Sequence, residues 1–293
     1  MKIFYCNVTY TCNQNCIYCY SHNTIHNSKV KNEITPSDLM EYLNRMGIST
    51  FDRVIVNGGE PFLHTRIIEI LKALKSIGCE VLIYTNGTLI QNFELEFLCR
   101  NFRFVIPIHG YSDLHDKITC HKGSFTLMST NLEKLSKYDC LIDVKLILNT
   151  PMIEDYNCFH ETISALGHLK INHAIHIQKM ADTLISKKNN FPSVSLDQAA
   201  NYTAIVFEHF KNSNYKIKLF DTCIKGINIQ NFTIQSPPIS VYFKDCNYER
   251  QFIFPLSNIK CRQTCSKSDK CFSAVDTYTV LEYYKGNFYK NLE

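Results

Sequence analysis

The chain is predicted to be α/β, a partial (β/α)6 TIM-like barrel with a small C-terminal cysteine-rich domain, and three features of its 293 residues carry that expectation. Short β-branched or aromatic apolar runs alternate with longer amphipathic segments up to about residue 213, the rhythm of βα units around a parallel sheet. Six such units in this order suit a barrel open on one side, with its working face at the C-terminal ends of the strands. Beyond residue 213 the apolar runs shorten, helical periodicity fades, and five of the 14 cysteines fall between 223 and 271. The expected domains are therefore 1–213 and 214–293.

The expected strands are 2–9, 52–57, 80–85, 103–109, 140–148 and 173–179. Between the first two, Thr35-Pro36-Ser37-Asp38 supplies an N-cap, a proline at the first helical position and an acid completing a capping box. The helix it opens runs to about Met46 and stops at Gly47. Further helices fit 63–76, ended by Gly78, then 91–100, 125–137, 153–166 and 195–212.

Composition narrows the function. A 45% hydrophobic and 20% charged chain is ordinary globular protein. The formal net charge of +4 comes without runs of like charge, so nucleic acid is not an expected partner. No apolar run reaches the roughly 18 residues that cross a bilayer, and MKIFYCNVTY enters a strand pattern at once, without a signal core. A cytoplasmic location and no membrane partner are expected. Fourteen cysteines without a secretory signal point to metal binding or burial before disulfides.

Cys12-x3-Cys16-x2-Cys19 lies in the loop just after the first strand. Closely spaced thiolates on one loop reach three corners of an iron–sulfur cubane and leave the fourth iron open to a small chelating ligand, which favours catalysis over electron storage. A zinc site lacking one ligand, or three buried thiols, fits the same bare spacing; the aromatic Tyr18 between the last two cysteines weighs against both. At the end of the second strand stands Asn57-Gly58-Gly59-Glu60-Pro61. Its glycines let the main chain approach a ligand and its acid accepts from an ammonium; a tight strand–helix turn is the plainer reading.

On these residues the chain resembles the radical S-adenosylmethionine (SAM) superfamily over nearly its whole length. The resemblance implies a [4Fe–4S] cluster on Cys12, Cys16 and Cys19, with SAM at its open iron. It implies Tyr18 near the adenine, and Gly58, Gly59, Glu60 and Pro61 at the SAM amino group. Asn86, in Tyr84-Thr85-Asn86-Gly87, matches a polar strand end near the ribose, and Lys145 and Asn149 match SAM contacts by position alone. The stretch from His115 to Phe125 is similar to the HD…GSF stretch of members with extra clusters. Those relatives have S-x-D just before it, where this chain has Ile108-His109-Gly110. His109 is thus the catalytic candidate, facing the barrel mouth, and a satisfied structural histidine is the equal alternative.

The later cysteines, Cys223, Cys246, Cys261, Cys265 and Cys271, are similar to the SPASM and Twitch extensions that bind auxiliary clusters. A full SPASM module has seven cysteines; five support one auxiliary [4Fe–4S] cluster, on Cys246, Cys261, Cys265 and Cys271 with Cys223 as substitute. A zinc knuckle is the structural alternative. The resemblance implies SAM cleavage to a 5′-deoxyadenosyl radical that removes hydrogen from substrate, driven by an electron donor such as flavodoxin or ferredoxin. A ribosomally made precursor peptide, cross-linked or epimerised, is the favoured substrate. A small sugar- or nucleotide-like molecule, dehydrogenated or rearranged, is the alternative, and a non-catalytic iron–sulfur or zinc scaffold the non-enzyme one.

Overall fold

A computed structural model describes residues 2–19, 32–47, 51–169, 171, 173–180, 183–191, 194–210, 212–220, 233–234, 240–244 and 249–252. Cys223, Cys246, Cys261, Cys265 and Cys271 lie outside the described residues.

All six expected strands form: β1 (Lys2–Thr9), β2 (Arg53–Gly58), β3 (Glu80–Tyr84), β4 (Arg103–Ile108), β5 (Leu141–Leu148) and β6 (Ala174–Lys179). They pair in chain order and in parallel, as right-handed βα crossovers require. Past residue 213, β7 (Lys216–Phe220) and β8 (Thr233–Ile234) continue the parallel sheet beyond β6. β9 (Ser240–Lys244) runs parallel to β1 on the other edge, with β10 (Glu249–Phe252) antiparallel outside it.

Local chemistry explains the helices. In α1 (Pro36–Met46) the Thr35 hydroxyl accepts from the Asp38 N–H at 3.1 Å, and Gly47 closes the helix at φ 75°. The expected helix 63–76 is shorter, α2 (Ile67–Lys75), because Pro61–Leu63 forms a separate 3-10 turn. His64 then leaves the helical region, accepting on Nδ1 from the Arg66 N–H at 2.9 Å. The helix expected over 91–100 is likewise a 3-10 turn (Ile90–Asn92) followed by α3 (Leu95–Asn101). α4 (Asp113–Thr119), absent from the sequence reading, precedes α5 (Ser124–Leu135). The segment expected as 153–166 splits into α6 (Thr150–Glu154) and α7 (Tyr156–His168), since Asp155 turns extended and caps α7 through the Asn157 and Cys158 N–H groups. Thr183 caps the short α8 (Leu184–Lys188), and α9 (Leu196–Phe210) completes the set.

Alternation along the strands makes two cores, one on each face of the sheet. Phe4, Val54, Ile83, Phe104, Val144 and Ile177 face the helices in the larger one. Ile3, Ile55, Leu82 and Val105 face the barrel lumen, with Tyr5 and Tyr84 packed on them. Each such fully buried aliphatic side chain contributes about 1.5–3 kcal/mol. Near the N-terminal ends of the strands the lumen is closed by ions: Glu80 takes Arg53 at 2.6 Å and also Arg103, whose other nitrogen reaches Asp143 at 2.9 Å. Asp143 also holds His173, His176 at 2.7 Å and Lys218 at 3.3 Å. The opposite, C-terminal end is where the site assembles.

Candidate functional site

The chain leaves β1 into the cysteine loop, and the backbone after β2 lies directly against that exit. Gly59 N–H donates to Thr9 O at 2.7 Å and Glu60 N–H to Thr11 O at 2.8 Å. A Cβ on Gly58, at φ 148°, would stand 2.3 Å from Thr9 O, and one on Gly59 2.3 Å from Thr11 O. The room these glycines leave, expected to serve a ligand, is taken up by the chain's own cysteine loop. Pro61 is buried and opens the 3-10 turn.

Glu60 is fully buried and turned toward the end of β3. Its Oε1 accepts from Phe62 N–H at 3.1 Å and from the Thr85 hydroxyl at 2.7 Å, its Oε2 from Asn86 N–H at 2.8 Å. Burial pushes its pKa up to about 7, against the pull of those donors. Asn86 then reaches into the cysteine loop: its Nδ2 donates to Asn13 Oδ1 at 2.8 Å, while Asn13 Nδ2 donates to the Thr88 hydroxyl at 2.9 Å. Thr88 closes the triangle by donating to Asn86 Oδ1 at 2.7 Å.

The loop's other side rests on helices. Asn15 and Ile17 N–H groups donate to the Thr119 and Ile118 carbonyls of α4, each at 3.0 Å. Those carbonyls are among the last of a helix and have no partner within it. α4 is bent back onto α5 by Asp116, which accepts from Gly123 N–H, the Ser124 hydroxyl at 3.0 Å and Phe125 N–H at 2.9 Å. This gives the HD…GSF stretch its local role. On the α8 side, Thr183 Oγ1 donates to Tyr18 O at 3.0 Å and Asn189 Nδ2 to Ile17 O at 2.8 Å.

His109 is buried in the wall of the mouth. The Tyr18 hydroxyl lies 3.2 Å from its Nε2, and Asn149 Nδ2 donates to its carbonyl at 2.6 Å. Burial, with His115 adding, holds its pKa well below the usual histidine range, so the ring is neutral. Asn149 is itself committed as the cap of α6, accepting from Met152 N–H at 3.2 Å. Lys145 sits deeper, in mid-strand, with its ammonium 5.4 Å from the centre of the Tyr84 ring.

The thiols fit an iron–sulfur group. Burial pushes Cys12 up to about 12, with Glu60 and Cys19 adding to it, and pushes Cys16 well above its usual value, with Cys19 and Cys12 adding. Cys12 and Cys16, desolvated in this way and crowded against Cys19, need cationic metal to become thiolates. Gln14 Nε2, buried beside them, has no acceptor among the described residues, and cluster sulfur is an acceptor of the right kind. Among the described residues no three His, Cys, Asp or Glu side chains converge on a single ion. A cubane does not ask that, because each thiolate takes a different iron.

A parallel αβ barrel with a thiol loop clamped at its C-terminal mouth places the chain among cofactor-dependent barrel enzymes. Residues 6–166 match the Radical SAM superfamily, and the chain belongs to it. That family uses a [4Fe–4S] cluster and SAM. Among curated relatives, the AdoMet-dependent heme synthase of Methanosarcina barkeri is 25% identical over 55% of this chain and 46% of its own length. The cysteine-type anaerobic sulfatase-maturating enzyme of Clostridium novyi is 26% identical over 47% of this chain and 41% of its own. The match thus spans less than half of either relative. Among solved structures, Streptococcus suis SuiB bound to S-adenosylmethionine superposes with a TM-score of 0.69 at 13% identity, covering 95% of this chain and 74% of SuiB.

Sequence reasoning missed Asn13, Gln14, Thr88 and Thr119. Asn13 and Gln14 stood inside the motif as spacers, and Thr88 and Thr119 act through partners that only the fold brings near. No helix of the described residues is long and apolar enough to cross a membrane.

Proposed function

We propose that this chain is a radical SAM peptide maturase. When bound, the [4Fe–4S] cluster supplies the electron that cleaves SAM, giving a 5′-deoxyadenosyl radical that takes hydrogen from the substrate. The chain's own residues do the rest. Cys12, Cys16 and Cys19 hold the cluster, and Glu60 with Asn86 and Asn13 fixes the loop that carries them. Tyr18, oriented by His109, offers its ring to the adenine, and the backbone at Gly58–Pro61 faces the amino end of SAM. His109 is then a positioning residue, and Asn149 supports it from below. The observation that carries this reading is the thiol loop, clamped from β2, β3, α4 and α8 at the mouth of one barrel.

A peptide substrate draws support from the HD…GSF stretch, from the C-terminal cysteine spacing, and from the names of similar proteins. One relative matures sulfatases, and SuiB has also been solved bound to its precursor peptide SuiA. β7 and β9 both run parallel to the barrel strands, so both end on the face that bears the cysteine loop. Cys223 follows the end of β7 by three residues and Cys246 that of β9 by two. Residues 214–293 accordingly hold one auxiliary cluster through Cys246, Cys261, Cys265 and Cys271, with Cys223 as substitute, and a flavodoxin or ferredoxin supplies the electron. The second reading, a small-molecule substrate, finds its support in the heme synthase match.

Anaerobic reconstitution tests the proposal. The wild type is expected to bind two clusters, shift its EPR signal on SAM addition and release 5′-deoxyadenosine. Cys16→Ala abolishes that release, whereas Cys265→Ala retains some SAM cleavage but forms no product. A wild-type chain that takes up no iron at Cys12–Cys19 refutes the reading.

A further inference from the structure

Cys99 and Cys140 stand outside the chemistry assigned above, and they lie against each other. β4 and β5 pair from Arg103 and Leu141 onward, so the residues that lead into them, Phe102 and Cys140, enter side by side. Phe102 N–H donates to Leu98 O at 3.0 Å and closes the last turn of α3 next to that entry. Cys99 lies in this turn, and the Cys140 thiol donates to its Sγ. Both side chains belong to the helix-facing core, Cys140 wholly buried and Cys99 4% exposed.

Two buried thiols are most simply packing groups. Their hydrogen bond makes these two unequal. By donating, Cys140 holds Cys99 below the usual thiol value against the opposing effect of burial. Cys140 is itself pushed far up, by its bond to Cys99 first and by burial after it. Cys79 and Cys158 are instead raised, by burial first and then by the carboxylates of Glu80 and of Asp155 and Glu161. A low thiol beside a high one is the division of labour that disulfide exchange needs: one attacks as thiolate, and the other keeps its proton until it resolves the mixed disulfide.

We infer that Cys99 and Cys140 form a reversible intramolecular disulfide, made by exchange with a low-molecular-weight disulfide. The Cys99 thiolate attacks one sulfur of RSSR, forming a mixed disulfide and releasing RS−, which takes up the proton that Cys99 has given up. The Cys140 sulfur then attacks Cys99 Sγ, and the second RS− leaves with the Cys140 proton. The dithiol loses two electrons and two protons, and RSSR gains both as two RSH. Cys99 is the point of entry, since it keeps the residual exposure and sits in the final turn of a seven-residue helix, a place that opens locally. The cross-link joins the start of β5 to the helix before β4 and closes a loop of about forty residues, so it stabilises the fold mainly through the unfolded chain. None of this depends on which substrate the enzyme takes.

Reconstituted holoenzyme is incubated anaerobically with glutathione disulfide, alkylated, and cut with trypsin and a glutamate-specific protease. Peptides 97–100 and 138–145 are expected as one species, lighter by two hydrogens than their sum, and should separate again after dithiothreitol. The unfolding temperature should rise by about 5 °C on oxidation and return on reduction. Cys140→Ser should stop at the glutathione adduct of Cys99, and Cys99→Ser should leave Cys140 unmodified. Cross-linked peptides that appear only when the chain is unfolded first overturn the inference. A lasting glutathione adduct on wild-type Cys99, or a cross-link from either residue to any other cysteine, overturns it as well. A cross-link that leaves the unfolding temperature unchanged refutes its stabilising role.

Discussion

Asn13, inside the cysteine loop, and Asn86, at the end of β3, are joined side chain to side chain, 2.8 Å from Nδ2 to Oδ1. Because Asn86 N–H also donates to Glu60, the bond links the thiol loop to the turn after β2. Three segments far apart in the chain thereby move as one unit.

Asn13→Ala removes two of the hydrogen bonds in that unit, each contributing about 0.5–1.5 kcal/mol. Both lie at the loop, away from the helix-facing core. The variant is expected to lose iron to a chelator several-fold faster than the wild type while its unfolding temperature falls by a few degrees at most. Chelation kinetics equal to those of the wild type would mean that the bond does not restrain the loop.

Gly59→Ala is expected to be far more damaging than its size suggests. The new methyl would meet Thr11 O at 2.3 Å, and backbone on both sides leaves nothing soft to yield. The cysteine loop must move, so cluster incorporation should be largely lost. Gly167→Ala in α7 is the control: nothing lies within 4 Å of the added methyl, and the helix gains about 0.5–1 kcal/mol. Iron content and thermal unfolding of the two variants check both halves of the expectation.

Asp116 acts on the cysteines without touching them. Burial works to raise its pKa, but the Phe125 and Gly123 N–H groups and the Ser124 hydroxyl override it and hold the acid ionised. Asp116→Ala leaves the first turn of α5 without its acceptor and frees α4, whose Ile118 and Thr119 carbonyls carry the loop. A loss of about 1–3 kcal/mol is expected. Asp116→Asn, which keeps one acceptor oxygen, should fall between that variant and the wild type. Denaturant unfolding gives the stability order, and a parallel order in EPR line shape of the reduced cluster shows that the loop is affected. An unaltered spectrum in Asp116→Ala confines the residue to stability.

Much of this was legible in the sequence, for physical reasons. Strands buried on both faces carry continuous apolar runs, which is why β4 and β5 stood out. Helix ends were less legible. Asp155 lies inside an unbroken amphipathic stretch, and only its side chain's preference for the Asn157 and Cys158 N–H groups makes it a boundary. α4 escaped because seven residues, several of them polar, show too little periodicity. At the site, the cysteines and Gly-Gly-Glu-Pro announce themselves through residue type. The Asn13–Asn86 bond does not, since its partners are 73 residues apart and asparagine is common in loops. His109 was legible as a mouth residue, but its burial against Tyr18 came only with the packing.

The ionic closure of the lumen makes stability depend on acid. Burial alone would raise Asp143, but the His176 hydrogen bond and the charges of His176, Lys218 and Arg103 override it and hold the acid well below the usual carboxylate range. Its contribution is therefore complete above the unfolded value of about 4 and fades as pH falls below it. His176 works higher in the range. Burial depresses it to about 4, so between about 6.5 and 4 the unfolded chain binds a proton that the folded chain refuses, and stability falls as pH falls through that window. Denaturant unfolding at pH 7.5, 6 and 5 should show a progressive loss in the wild type. His176→Gln, which can still donate to Asp143, should make the curve shallower between pH 6.5 and 5, with the share of the similarly depressed His109 and His115 remaining, while leaving the drop below pH 4 in place. An unchanged slope between pH 6.5 and 5 in His176→Gln would mean that His176 does not titrate across that window in the way its burial implies.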